Sequence, residues 1–106
     1  MESALLTNKP TGIKTATGTL DLGSPELTKI AKALSSGTRQ KILKLLKKEP
    51  MDVSRIAGYL EQTEANISAQ ISILNKANLV ACTYKPGDHG VRKICSIAVN
   101  NLTITF

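Results

Sequence analysis

A chain of 106 residues has room for one hydrophobic core, and its 42% apolar content is ordinary for a globular domain. The formal charge is +6 and unevenly spread: Lys29, Lys32, Arg39, Lys41, Lys44, Lys47 and Lys48 follow one another with no acid until Glu49. That is the footprint of a polyanion binder or a set of solvated helix faces, whereas no apolar run nears the roughly 20 residues of a membrane span.

The opening MESALLTNKP is too short in apolar residues for a secretory signal and begins with an acid. A cytoplasmic protein is expected. Two cysteines, Cys82 and Cys95, are too few for a disulfide scaffold, and their spacing matches no zinc motif. The aromatic residues are Tyr59, Tyr84 and Phe106, which leaves almost nothing for single-stranded nucleic acid to stack on. Residues 1–16 read as a flexible leader, followed by a short strand over Thr17 to Leu22 with Leu20 and Leu22 on one face.

Ser24 and Pro25 then start a helix as N-cap and first residue, with Leu27, Ile30, Ala31 and Leu34 as its buried face. The sequence SSG at Ser35 to Gly37 ends it. A second helix begins near Thr38, buries Ile42, Leu45 and Leu46, and stops at Glu49-Pro50. Asp52 caps a third, in which Val53, Ile56, Ala57 and Leu60 make one apolar stripe. Thr63 caps a fourth with Ile67, Ile71 and Leu74 inward, and Asn78 stands where a left-handed residue closes the helix.

From Leu79 the period shifts from 3.6 towards 2. Residues Leu79 to Lys85 and Val91 to Val99 read as two strands joined by the turn Pro86-Gly87-Asp88-His89-Gly90. A register centred between Asp88 and His89 sets Cys82 opposite Cys95, either as a thiol pair that senses redox state or as two small apolar side chains packed together. The final run NLTITF alternates, with Leu102, Ile104 and Phe106 on one face. A lone strand of that length is marginal, so the two terminal strands are expected to pair, within a protomer or between two. The fold class is thus mainly α with a small β part (α+β): four helices and a β-hairpin wing over residues 17–106, a winged helix-turn-helix.

The outer face of the fourth helix carries Glu64, Asn66, Ser68, Ala69, Gln70 and Ser72. A helix exposed only to water more usually carries Lys and Glu pairs, whereas one entering a DNA groove needs short side chains and hydrogen-bonding groups. Asn66 and Gln70 can each pair bidentately with adenine, Glu64 can accept from cytosine N4, and Ala69 can touch a thymine methyl. Thr63 and Ser68 suit phosphate or helix capping. In the wing, His89, Arg92 and Lys93 would lie along phosphates or the minor groove. A lone histidine lacks the partners a metal needs, so neither metal nor cofactor is expected.

The run from Leu27 to Val80, LTKIAKALSSGTRQKILKLLKKEPMDVSRIAGYLEQTEANISAQISILNKANLV, resembles the ArsR-type winged-helix transcriptional regulators of bacteria and archaea. Three segments carry the likeness: KALSSGTRQKILKLL, DVSRIAGYLEQTEANISAQISIL and NKANLV. The wing resembles a branch with a PG-x-x-G tip. The resemblance implies a sequence-specific binder of double-stranded DNA and gives Arg39 a structural role; a repressor is expected, acting as a homodimer because one recognition helix reads only a few base pairs. It does not imply metal sensing, because IAGYLEQ lacks the Cys-x-Cys pair many members carry, and it names no effector. Two other classes make different demands on the chain. A protein-protein interaction module would place apolar or acidic groups on the recognition face; an enzyme would need more than one histidine at a mobile tip.

Overall fold

The computed structural model describes residues 17–106, so the expected leader, residues 1–16, lies outside the described residues. Chain order is β1 (Thr17–Asp21), α1 (Pro25–Leu34), α2 (Gly37–Lys48), β2 (Met51–Asp52), α3 (Val53–Leu60), α4 (Glu64–Lys76), β3 (Val80–Gly87), β4 (Gly90–Ile97) and β5 (Asn101–Thr105). Each helix starts on an oxygen-bearing side chain that accepts from an otherwise unpaired amide of the first turn. Ser24 accepts from Leu27 N, Ser36 from Arg39 N, Asp52 from Arg55 N and Thr63 from Asn66 N. The turn between α3 and α4 passes through Glu61 at φ 55°, and Asn78 after α4 adopts φ 63°, the left-handed geometry its position anticipated.

One core joins all four helices to the sheet. Ile42 and Leu46 of α2, Ile56 of α3 and Ile67, Ile71 and Leu74 of α4 are buried together with Met51, Val80 and Cys95. Two details differ from expectation. Ala33, not Ala31, is the buried alanine of α1. Position 33 lies at the end of α1 beside the turn into α2, where the Ala33 and Lys32 carbonyls accept from Arg39. Helix α2 also begins one residue earlier than Thr38, because Ser36 is the second serine of the break and is extended, free to cap.

The sheet order is β2-β4-β3, antiparallel throughout. The short β2 was not anticipated, since two residues show no period; Met51 pairs with Cys95 and Asp52 with Ile94. Strands β3 and β4 run further into the turn than expected, so that Gly87 faces Gly90 across the two residues Asp88 and His89. Gly90 has φ 111°, which a side chain would strain, and a Cβ on Gly87 would meet the stem of Arg92 at 2.9 Å. Pro86 is tolerated because β3 is an edge strand. The expected opposition of Cys82 and Cys95 holds.

The terminal strands do pair, and within one chain: β1 and β5 form a separate parallel ribbon with Leu20 opposite Ile104. Leu20 and Leu102 pack on the core, while Leu22 and Ile104, on the same face, overhang it at 53% and 47% exposure.

Candidate nucleic-acid interface

Helix α4 presents Glu64, Asn66, Ser68 and Ala69 to solvent on one continuous surface, with Thr63 exposed at its start and Gln70 half-buried at the far margin. The apolar stripe Ile67, Ile71 and Leu74 is fully buried behind them, so the helix cannot turn without exposing it. Thr63 is committed to the cap, its Oγ1 accepting from Asn66 N at 3.0 Å. Glu64 accepts from the Ser54 hydroxyl at 2.6 Å, tying the start of α4 to α3. The spacing of the sequence brought these residues to one face as expected; it did not reveal that several already have partners.

The most connected of these partners is Arg39. Its Nε donates to the Ala33 carbonyl at 2.7 Å and its Nη2 to the Lys32 carbonyl at 3.0 Å, which closes the end of α1. Its Nη1 reaches across to Gln70 Oε1 at 2.7 Å. Gln70 Nε2 donates to Asn66 Oδ1 at 3.3 Å, Asn66 Nδ2 donates to Gln62 Oε1, and Gln62 Nε2 donates to Thr38 Oγ1 at 3.5 Å. Sequence reading placed Arg39 as structural and Asn66 and Gln70 as readers of bases. It missed Gln62 and Thr38, for which the i, i+4 spacing of Gln62, Asn66 and Gln70 is the available signal.

The wing leaves the domain beside this face. His89 is exposed at its tip, Lys93 is half-buried lower down, and Tyr84 and Val91 are exposed at 68% and 71%. Arg92 is not a loose cation: its Nε and Nη2 both donate to Asp52 Oδ2, at 3.0 and 2.7 Å. The other carboxylate oxygen of Asp52 takes the cap hydrogen bond from Arg55 N at 2.8 Å. One aspartate thus holds both the start of α3 and the wing. Its pKa lies below the usual carboxylate range, first through the Arg55 backbone N–H and then through Arg92, outweighing partial burial.

A carboxylate whose folded pKa is depressed contributes stability above its unfolded pKa and loses it as pH falls through the folded value. Thermal stability should therefore drop on acidification below about pH 4. Asp52→Asn, which can still cap α3 but cannot pair with Arg92, should melt lower at neutral pH and show a shallower acid limb. Melting curves between pH 2 and 7 check this; parallel acid limbs for the two proteins would remove the linkage.

Beneath the wing the free thiols of Cys82 and Cys95 face each other. The Cys95 S–H donates to the Cys82 sulfur and Lys93 lies close, and together these outweigh burial and push Cys82 down to about 7. The same hydrogen bond, with burial, pushes Cys95 upward. Iodoacetamide should accordingly modify Cys82 with a rate that rises through pH 7 and leave Cys95 untouched in the folded protein, as peptide mass mapping would show. Equal labelling of both would contradict the pairing. Among the described residues no group of three or more His, Cys, Asp or Glu side chains is placed to hold a metal ion.

A helix-turn-helix seated on a small antiparallel sheet, with a hairpin beside the second helix, defines a winged-helix domain. Residues 36–81 match the family model of the bacterial regulatory protein, arsR family. Among solved structures, the chain is similar to the homodimeric winged helix-turn-helix DNA-binding domain of a possible ArsR-family transcriptional regulator from Mycobacterium bovis. Identity is 29% and the TM-score 0.62, over 69% of this chain and 64% of that fragment, so less than two thirds of the relative is spanned. An ArsR family transcriptional regulator, RHA00566, aligns at 28% identity and TM-score 0.58, over 68% of this chain and 75% of that one. HlyU from Vibrio cholerae, at 17% identity and TM-score 0.58 over 72% of this chain and 78% of its own, shares the fold. No curated protein matches the chain. The fold is thus a winged helix-turn-helix, and its residues 36–81 are similar to the arsR family of bacterial regulatory proteins.

Proposed function

We propose that this protein is a sequence-specific double-stranded DNA-binding transcriptional regulator that represses by occupying promoter DNA as a homodimer in the cytoplasm. The observation that carries the reading is the exposed face of α4, short and polar from Thr63 to Gln70 and set beside a wing that carries His89, Arg92 and Lys93. In this arrangement Glu64, Asn66, Ala69 and Gln70 read base edges in the major groove, and Thr63 and Ser68 sit against phosphates. His89 and Lys93 follow the backbone or minor groove. Arg92 joins them by sharing its guanidinium between Asp52 and a phosphate.

Two copies are favoured by the physics of the module, because one recognition helix reads few base pairs and two set about one helical turn apart multiply specificity. Helix α1 and the β1–β5 ribbon are the candidate subunit interface. The ribbon is an isolated two-stranded parallel pair whose Leu22 and Ile104 overhang the core, an arrangement that gains from a second layer. The homodimeric state of the Mycobacterium bovis domain supports the same expectation. Among the described residues no helix is long and apolar enough to cross a membrane.

The test is titration of the protein with duplex from its own promoter and with scrambled duplex across a range of salt concentrations. A preference for the promoter of about a thousandfold, with binding to both weakening steeply as salt rises, is expected. Equal weak binding to the two would overturn the reading and turn attention to a protein partner for the α4 face.

A further inference from the structure

We infer that Arg39 is a positioning residue for base recognition: it fixes the donor and acceptor order of the amides along α4, and thereby makes the helix read adenine in preference to guanine. The inference rests on the DNA-reading function proposed above and assigns part of its specificity to a side chain that itself touches no base.

The argument begins with what each group can do. A guanidinium has donors and no acceptor, so whatever amide atom lies against Arg39 Nη1 must be the oxygen. Gln70 therefore turns Oε1 to Arg39, at 2.7 Å, and its NH2 group to Asn66 Oδ1. Asn66 in turn must point its NH2 group at Gln62 Oε1. At the far end the chain meets the Thr38 hydroxyl, which can donate or accept and so imposes no direction. The polarity is set from one end only, by the cation. Arg39 is itself held by the carbonyls of Ala33 and Lys32, so it cannot swing away to follow a flipped amide.

The consequence is an inventory of what remains for DNA. Each amide of Asn66 and Gln70 has committed one N–H and one oxygen lone pair, leaving one N–H and one lone pair. Adenine presents N7 as acceptor and N6–H as donor in the major groove, which needs one of each. Guanine presents N7 and O6, two acceptors, and bidentate contact from an amide would need both hydrogens of its NH2 group. One of those hydrogens is already held within the ladder. A free amide could serve either base; an amide in this ladder serves adenine.

Two readouts test the inference. In the free wild-type protein, the geminal side-chain NH2 protons of Gln70 and Asn66 should be widely separated in the nuclear magnetic resonance spectrum, with one proton of each exchanging slowly. In binding-site selection from a randomised duplex pool, wild type should enrich adenine over guanine beneath α4. Arg39→Met should lose roughly tenfold of that preference with an unchanged salt slope, whereas Arg39→Lys, which keeps a donor for Gln70 Oε1, should retain most of it. A merely structural arginine would lower affinity for all sequences alike and leave the adenine-to-guanine ratio where it was. Averaged amide protons in wild type, or an unchanged ratio in Arg39→Met, would overturn the inference while the regulator reading stands. A wild-type protein with no base preference would overturn the regulator reading itself. Should Arg39→Met melt below the assay temperature, the wild-type spectrum and the Arg39→Lys selection still decide.

Discussion

The double variant Asn66→Ala, Gln70→Ala is expected to lose about a hundredfold in preference for its selected duplex over scrambled DNA while keeping its fold. A bidentate side-chain contact to a base is worth about 1–3 kcal/mol of discrimination, and each 1.4 kcal/mol is a factor of ten. The two amides are hydrogen-bonded to each other at 3.3 Å, so their effects should not add in full. The fold should persist because Asn66 is exposed and Gln70 half-buried, with the apolar stripe of α4 untouched. Scrambled duplex should bind the variant nearly as well as wild type, since phosphate contacts carry that term. Competition binding at fixed salt, with a melting curve as control, measures both quantities. Retained preference in the double variant would mean that another surface reads the operator.

Ile71→Ala is expected to have the largest effect on stability. The side chain is fully buried on the inner face of α4, in the cluster that contains Ile42 and Leu46 of α2 and Ile56 of α3. Truncation removes transfer free energy and leaves a cavity that rigid neighbours cannot fill, a loss of about 2–5 kcal/mol. Against a total of about 5–15 kcal/mol for a domain, that is a large fraction. The melting temperature should fall by about 10–30 °C. Ile73→Ala, two residues along at 40% exposure, should shift it by no more than a few degrees. Similar melting of the two variants would show that the helix is not held by the face assigned to it.

These two predictions depend on different amounts of structural information. That Ile71 is buried and Asn66 is not follows from the 3.6-residue period, because a helix on a core must gather its apolar side chains on one side. The helix starts at Ser24, Asp52 and Thr63, the left-handed Asn78 and the register that sets Cys82 against Cys95 follow from equally local causes, each decided within a few residues. The buried alanine of α1 is the exception: Ala33 is buried where the period alone favours Ala31, because α1 packs beside the turn into α2 as well as on the core.

The chain by itself therefore determined the order of the four helices, the hairpin and the terminal strands, the inward and outward faces of the helices and the polar character of α4, all consequences of spacing along the backbone. The tertiary structure alone decided which polar groups are already spoken for. The Arg39–Gln70 bond spans 31 residues and the Arg92–Asp52 pair spans 40, and no periodicity encodes contacts between elements so far apart in sequence. Nor could alternation in β1 and β5 say that they pair parallel and within one chain, since a strand's edge accepts either direction and the choice falls to the helices that bring the two ends together.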